Sequence, residues 1–146
     1  MSKISIGTAQ FGHDYGIYSF AGKVKPREIK EILDFAHSKN ITNLDTAPGY
    51  GNSEKILGDS NISSFRVATK TRHFKSDIIT DNDSNLLNSD FYQSLQDLKK
   101  NNVYALLIHN ANDLFKSGAE KLIKMLQKLK EEKRIKKTGV SIYNYN

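Results

Sequence analysis

Short apolar runs alternate with longer amphipathic stretches along the whole chain, and this alternation predicts strands and helices in turn. The clearest run covers residues 103–109, whose nearly continuous apolar character is typical of a strand buried on both faces. Because no hairpin turn joins two runs, the order predicts a parallel sheet with right-handed crossovers. An open doubly wound sheet and a closed (β/α)8 barrel both fit this order. The predicted strands cover residues 3–8, 41–45, 65–70 and 103–109, and a fifth opens at Gly139.

The stretches between the strands predict four helices. Pro26 suits the first turn of a helix, where its missing N–H has no role, and Ser53 and Ser89 suit N-cap positions. Residues 71–88 are rich in Asp, Asn and Ser and predict a loop. The predicted helices run from Pro26 to Asn40, from Ser53 to about Leu57 with Gly58 as its end, from Ser89 past Leu98, and through the lysine-rich residues 121–137.

The most informative segment covers residues 44–54, where a predicted strand passes through a loop with proline and two glycines into a short helix. Asp45 lies where this strand stops, and Tyr50 lies on the loop that leaves it. Lys70 and His109 end the next two predicted strands. Because the carboxyl ends of parallel barrel strands point to one face, these four side chains are expected to converge.

The four residue types fit a single reaction. A tyrosine hydroxyl ordinarily has a pKa of about 10. Tyr50 can therefore exchange a proton at neutral pH only if a neighbouring group stabilises its anion. The ammonium of Lys70 can supply that stabilisation, and Asp45 can keep that lysine in place and charged. His109 can donate a hydrogen bond that orients a substrate carbonyl. Together they predict polar carbonyl reduction, with hydride from a cofactor and a proton from Tyr50.

Each of these residues also has a commonplace structural interpretation. Asp45 could cap its loop, Lys70 could face solvent, His109 could be a buried core histidine, and Tyr50 could cover the barrel mouth. Their shared position at one end of consecutive strands favours the common site.

Composition narrows the class of protein. A chain of 146 residues can form one domain with a real core, and the absence of cysteine excludes disulfides, thiolate catalysis and Cys-ligated zinc. The N-terminus lacks the long apolar core of a signal peptide. The longest apolar run, residues 103–108, is far shorter than the roughly 20 residues that span a bilayer. We therefore expect a cytoplasmic protein without membrane contact.

The net charge of +6 raises the question of a nucleic-acid partner. Much of the excess lies in residues 121–137, where leucines at helical spacing predict an amphipathic helix with a solvated charged face. No aromatic residues interleave with these lysines, so nucleic-acid binding is not expected, although a positive field would suit a phosphorylated cofactor. The first loop lacks G-x-G-x-x-G spacing, which argues against a Rossmann site. His13, His37 and His73 have no partners at metal-ligand spacing, and no metal is predicted.

Several short motifs occur in the order found in a known family. They are Gly7-Thr8, Leu44-Asp45-Thr46-Ala47 with Tyr50-Gly51 and Ser53-Glu54, Ala68-Thr69-Lys70, Ser94-Leu95 with Leu98, Leu107-Ile108-His109 and Gly139-Val140-Ser141. In these motifs the chain resembles the N-terminal half of an aldo-keto reductase over nearly its whole length. The resemblance implies the first half of a (β/α)8 barrel of TIM type, with roughly five strands and four helices in a single domain over residues 1–146.

The resemblance also implies an activity, a cofactor and a set of site residues. The implied enzyme reduces an aldehyde or ketone with NADPH as hydride donor. The implied catalytic residues are Asp45, Tyr50, Lys70 and His109, and the implied cofactor contacts are Gly7 and Thr8 at the nicotinamide ribose, Asp45, and Ser141 at the carboxamide. Family members commonly have asparagine where this chain has Ile142, and their later strands carry most contacts to the cofactor phosphates.

The length of the chain leaves two arrangements open. A (β/α)8 barrel usually takes about 250 residues and rarely fewer than 200. Half a barrel leaves edge strands and apolar faces uncovered. The chain is then expected to be either a fragment of a longer reductase or a non-catalytic half-barrel that self-associates through its edges. The fragment is favoured because residues 142–146 end where the next loop should begin.

Overall fold

The sheet is parallel and its strands follow one another in chain order. The structure, a computed structural model, describes residues 4–16 and 22–142. All four strand pairs are parallel, and the spatial order is the same as the order along the chain. A doubly wound sheet reverses its strand order at a switch point, whereas a barrel does not, so the order is that of a barrel. The strands are β1 (Ile6–Gly7), β2 (Asn43–Asp45), β3 (Arg66–Lys70), β4 (Val103–Ile108) and β5 (Ile135–Val140).

Helices separate the strands and cover the sheet with apolar side chains. They are α1 (Ala9–Gly12), α2 (Pro26–Ser38), α3 (Ser53–Asp59), α4 (Asp81–Asp97) and α5 (Glu120–Glu131), with a 3-10 turn at Ala111–Phe115. Leu33 of α2, Leu57 of α3 and Leu122 of α5 belong to one buried cluster with Leu44 and Leu106 of the sheet. This single core holds the strand ends in fixed relative positions.

The first four strands lie within their predicted ranges, and α2 begins at Pro26 as predicted. The helix ends at Ser38, and Asn40 takes a left-handed conformation with φ of 58°, which asparagine tolerates better than most residues. Lys3, the predicted start of the first strand, lies outside the described residues.

The start of α4 was predicted nine residues too late. Thr80, not Ser89, caps the helix: its Oγ1 accepts a hydrogen bond from the backbone N of Asp83, and the carboxylate of Asp83 accepts one from the backbone N of Thr80. This reciprocal cap lets a polar sequence start a helix, because only the positions from Leu87 onward must reach the core. The predicted loop over residues 71–88 is therefore wrong in its second half.

The ends of α3 also differ from the prediction. Ser53 is the first helical residue rather than the cap, and its hydroxyl bonds to Thr8 instead. The helix continues through Gly58, where a Cβ atom would lie 2.0 Å from the backbone oxygen of Asp97. Gly58 thus allows α3 to pack directly on the end of α4 and does not end the helix.

The boundary between α5 and β5 lies earlier than predicted. The helix ends at Glu131, and Lys133 turns the chain with φ of 57°. Ile135 then pairs with Val103, so β5 ends at Val140, close to where it was expected to open. The lysines of residues 121–137 therefore lie partly on a helix and partly on the exposed side of a strand, where charge also disfavours edge-to-edge association.

Candidate functional site

The carboxyl ends of the strands lie level at one edge of the sheet. Gly7 at the end of β1 pairs with Asp45 at the end of β2, and Lys70 at the end of β3 pairs with Leu107. The backbone N of Ser141, the residue after β5, donates to the oxygen of Ile108 at the end of β4, 2.8 Å away. Side chains from four separate strands are thereby brought to one edge.

An ion pair between a buried lysine and a half-buried aspartate forms the centre of this edge. The Nζ atom of Lys70 donates to Oδ2 of Asp45 at 2.7 Å and to the backbone oxygen of Thr46 at 3.0 Å. The Lys70 side chain is only 4% exposed, whereas that of Asp45 is 34% exposed. Because a buried ammonium is unfavourable without partners, these two acceptors offset the burial of the Lys70 side chain and fix its position.

Tyr50 lies against this lysine. The Nζ atom of Lys70 is 4.8 Å from the centroid of the Tyr50 ring, so the ammonium contacts the ring face rather than forming a hydrogen bond with the hydroxyl. The tight loop that carries Tyr50 is closed by a bond from its backbone N to the oxygen of Ala47 at 3.0 Å. Gly51 has φ of 60°, and a Cβ there would lie 2.7 Å from the oxygen of Gly12 in α1. A Cβ at Gly12 would likewise lie 1.5 Å from the oxygen of Tyr50, so the loop can pack against α1 only with glycine at both positions.

His109 completes the predicted group. Its ring centroid lies 5.9 Å from that of Tyr50, edge to face, and its backbone N donates to Oγ1 of Thr71 at 3.1 Å. Burial, together with the nearby charges of His73 and Lys70, lowers the pKa of His109. Its Nδ1 atom is buried and has no hydrogen-bond partner among the described residues. The structure thus brings Asp45, Tyr50, Lys70 and His109 together.

A cleft of about 340 Å³ opens beside this group. That volume falls in the usual range for small-ligand sites, about 300–1,000 Å³. A methyl group placed on Gly7 would meet no atom within 4 Å, so the backbone at the end of β1 is open to the cleft. His109 does not line the cleft. The residues that do are Gly7, Thr8, Ala9, Gln10, Tyr15, Asp45, Tyr50, Lys70 and Ser141, which include every predicted cofactor contact.

A network of hydroxyl groups lies beneath the cleft and was not predicted from sequence. The Ser53 hydroxyl donates to Thr8, and the Thr8 hydroxyl donates to the backbone oxygen of Asp45 at 3.0 Å. The Thr46 hydroxyl lies 3.3 Å from that of Ser53. All three hydroxyl side chains are fully buried. Thr8 belongs to the wall of the cleft, and its hydroxyl supports the Asp45 backbone from beneath. Ser and Thr are common in loops, and the sequence contains no signal that these would meet.

Two titratable residues near the site were also missed as site residues. Glu54 is buried and accepts hydrogen bonds from Thr69 at 2.6 Å and Ser94 at 2.9 Å, and burial raises its pKa. His73 stacks on His109 with ring centroids 4.1 Å apart. The motif containing Glu54 was visible in the sequence, but its burial was not, and nothing in the sequence of the loop after β3 indicated where His73 would lie.

Residues 4–16 and 22–142 contain neither of two other kinds of site. In that part of the chain, no cluster of three or more His, Cys, Asp or Glu side chains could hold a metal ion. Nor does any helix there have the length and apolar character needed to cross a membrane. A larger groove of about 550 Å³ lies between α2 and α3, but none of the predicted site residues line it.

Solved structures of aldo-keto reductases have the same fold as this chain. An aldo-keto reductase from Pseudomonas aeruginosa is 24% identical with a TM-score of 0.74, and the match covers 94% of this chain and 54% of that one. A glycerol dehydrogenase from Gluconobacter oxydans is 23% identical with a TM-score of 0.71, covering 99% of this chain and 46% of that one. The holo form of an aldo-keto reductase from Bacillus halodurans is 18% identical with a TM-score of 0.70, covering 96% and 46%. The chain therefore spans about half the length of these proteins.

No curated protein sequence matches the chain significantly. The sequence model of the Aldo/keto reductase family, however, matches residues 3–146, which is nearly the whole chain. The match covers all five strands and every residue of the site described above. The chain belongs to the Aldo/keto reductase family.

Proposed function

We propose that this chain carries the acid–base half of an NADPH-dependent oxidoreductase that reduces an aldehyde or ketone to an alcohol. Aldo-keto reductases in general use nicotinamide cofactors on small carbonyl compounds. For this chain we propose in addition that the cofactor is NADPH, that Tyr50 is the proton donor and that the protein is cytoplasmic. The observation that supports the proposal most directly is the Lys70 ammonium, paired with Asp45 and lying over the Tyr50 ring beside an open cleft.

Tyr50 is the proposed proton donor. Its hydroxyl gives a proton to the substrate carbonyl oxygen as the alcohol forms. The Lys70 ammonium stabilises the resulting phenolate, since a positive charge close to the ring favours the anionic form. Asp45 holds that ammonium in place, which orients it before reaction rather than during it. A positioned acid of this kind typically contributes about 10²–10⁴ in rate.

His109 is the proposed orienting group. Its ring lies edge-on to Tyr50, so a carbonyl oxygen between them could accept hydrogen bonds from both. Its lowered pKa keeps the imidazole neutral at neutral pH, and a neutral imidazole still has one N–H to donate. Neutral His109 would then position the carbonyl without competing with Tyr50 as the acid.

The residues around the cleft fit the nicotinamide end of the cofactor. Gly7 leaves open space at the end of β1, and Ser141 lines the same cleft. We propose that Gly7, Thr8, Asp45 and Ser141 hold this end against the Tyr50 ring. When bound there, the nicotinamide supplies the hydride for the carbonyl carbon.

We further propose that additional βα units complete the barrel beyond β5. Among the described residues, β1 pairs only with β2 and β5 only with β4. Ile4 is 60% exposed next to β1, and Ile142 is 58% exposed next to β5. Apolar side chains at both open edges favour a covering partner, and the matched solved structure has about half of its own chain outside the matched part to supply one.

The exposed edges also support a second candidate function. Two copies of the chain could pair edge to edge and form a non-catalytic module. NADPH fluorescence titration of this chain alone separates the two candidates, because micromolar binding would contradict the non-catalytic module. Its self-association would appear as a dimer in analytical ultracentrifugation.

Replacement of Tyr50 by Phe tests the proposed reaction. In the full-length protein that contains this chain, Tyr50→Phe should reduce carbonyl turnover by about 10²–10⁴-fold, because the proton donor is lost. NADPH affinity, measured by fluorescence quenching, should stay near the wild-type value. Tyr104→Phe is the matched control, since Tyr104 lies on β4 and contacts Arg66 rather than the site. Full turnover in Tyr50→Phe would exclude Tyr50 as the acid.

A further inference from the structure

His73 contacts His109 more closely than any other ring described near the site. The two ring centroids are 4.1 Å apart and the ring planes are inclined by 32°, whereas the Tyr50 ring meets His109 edge-on at 5.9 Å. His109 therefore contacts a stacked imidazole and a nearly perpendicular phenol ring. His73 itself is exposed at the rim of the site.

The loop that carries His73 is fixed on both sides of that residue. On one side, the backbone N of Thr71 donates to Leu107 at 2.9 Å, and its Oγ1 accepts from the backbone N of His109. On the other side, Lys116 donates to the backbone oxygen of Phe74 at 2.6 Å. The stack therefore follows from hydrogen bonds that tie this loop to the end of β4 and to the 3-10 turn.

Two charged side chains on the segments that hold this loop, those of Arg72 and Lys116, are already paired. Arg72 donates to both carboxylate oxygens of Asp90 on α4, and Lys116 forms an ion pair with the buried Asp113 at 2.7 Å. Lys70 and Asp45, whose charges also act on His109, are bound to each other. Histidine is the side-chain type that ordinarily changes charge near neutral pH, so the stacked imidazole is the neighbour of His109 that matters here.

Two imidazoles this close oppose double protonation, because like charges in contact repel and one of the rings is buried. Since His73 is exposed and His109 is buried, a single positive charge is better solvated on His73. The stack thus favours the state in which His109 is neutral.

We propose that His73 is a positioning residue of this site, which sets the ring plane of His109 by stacking and competes with it for a proton. The stacking and the competition for a proton do not depend on the proposed function; only the role of His109 in orienting the substrate carbonyl does. His73 acts through His109 and does not contact the reacting atoms.

The test follows the titration of each imidazole by NMR in the full-length chain with labelled histidine. Removal of the ring in His73→Ala should raise the titration midpoint of His109, because the competing charge is gone. His73→Phe keeps a ring over His109 but cannot be protonated, so the midpoint should rise while the ring-current shifts of the His109 protons persist. His37→Phe is the control, since His37 contacts Phe65 and Ser64 away from the site, and it should leave His109 unchanged.

The outcomes separate this proposal from the proposed function. An unchanged or lowered His109 midpoint in either His73 variant would overturn it, and so would loss of the ring-current shifts in His73→Phe. The pH profile of kcat/KM should shift its acid limb to higher pH in both variants. If the full-length protein shows no carbonyl reduction, the proposed function fails while the NMR result still decides the role of His73.

Discussion

Two lysine–aspartate pairs of nearly equal length show what the site adds to an ordinary ion pair. Lys30 and Asp34 on α2 are 2.5 Å apart, and Lys70 and Asp45 are 2.7 Å apart. The Lys30 side chain is 77% exposed, while that of Lys70 is 4% exposed. Water solvates the first pair whether or not it forms, whereas the second ammonium depends on its partners. Distance alone therefore says little about the role of a pair.

The largest expected effect is the loss of stability when the aspartate of the Lys70–Asp45 pair is removed, compared with removal of the aspartate of the Lys30–Asp34 pair. Asp45→Ala should lower the free energy of unfolding by about 3 kcal/mol, because it leaves the buried Lys70 ammonium with one neutral acceptor. Asp34→Ala should leave stability unchanged within the error of urea denaturation. Equal losses in the two variants would mean that burial of Lys70 does not determine the strength of its pairing.

A second contrast concerns two carboxylates with opposite pKa shifts. Burial raises the pKa of Glu54 above its ordinary value of 4.5, so between 4.5 and the raised value the folded state holds more protons than the unfolded state. Wild-type stability should therefore fall relative to Glu54→Gln as pH rises through that interval. The amide oxygen of glutamine can accept a hydrogen bond from one of the two hydroxyls, Thr69 or Ser94, and its amide nitrogen can donate to the other, so the comparison stays close to isosteric.

The control for this contrast is Asp59, where the hydrogen bond and charge of Lys99 lower the pKa below 3.8. Its stabilisation is present above 3.8 and is lost as pH falls through the lowered value, so the sign is opposite to that of Glu54. Thermal unfolding of Glu54→Gln and Asp59→Asn across acid pH measures both. Parallel pH profiles for the two variants would contradict the assigned burial of Glu54.

The smallest expected effect is that of salt. Any stability difference between wild type and Asp34→Ala should vanish at high ionic strength, because the screening length for exposed charges falls to about 3 Å at about 1 M salt. The difference between wild type and Asp45→Ala should persist, since a buried pair is screened much less. Urea denaturation at low and high sodium chloride gives both comparisons, and a salt-sensitive Asp45 difference would place that pair in solvent.

The residues at the strand ends were predictable from sequence. Asp45, Lys70 and His109 each end an apolar run, and a parallel sheet brings such ends to one edge. The choice between a barrel and a doubly wound sheet was not predictable from alternation alone, because both have the same order of elements along the chain. The structure decides it through the sequential strand order.

Element boundaries were predicted poorly where polar residues form regular structure. The first two turns of α4 present mostly polar side chains and depend on the reciprocal cap of Thr80 and Asp83. Residues 135–138 contain a single buried side chain, Ile135, and their sequence resembles the charged face of a helix. Only the pairing of Ile135 with Val103 in the structure identifies them as a strand. Such elements are stabilised by caps and by pairing with distant strands, which a local apolar pattern does not record.

By itself, the sequence determined the alternation of strands and helices, the polar residues at the strand ends and the family to which the motifs belong, since these depend on neighbours a few positions apart. Only the tertiary structure decided that Lys70 lies over the Tyr50 ring, that Glu54 is buried between Thr69 and Ser94, and that His73 stacks on His109. Those contacts join segments up to 40 residues apart. Their geometry follows from how helices pack on the sheet, which no single stretch of sequence specifies.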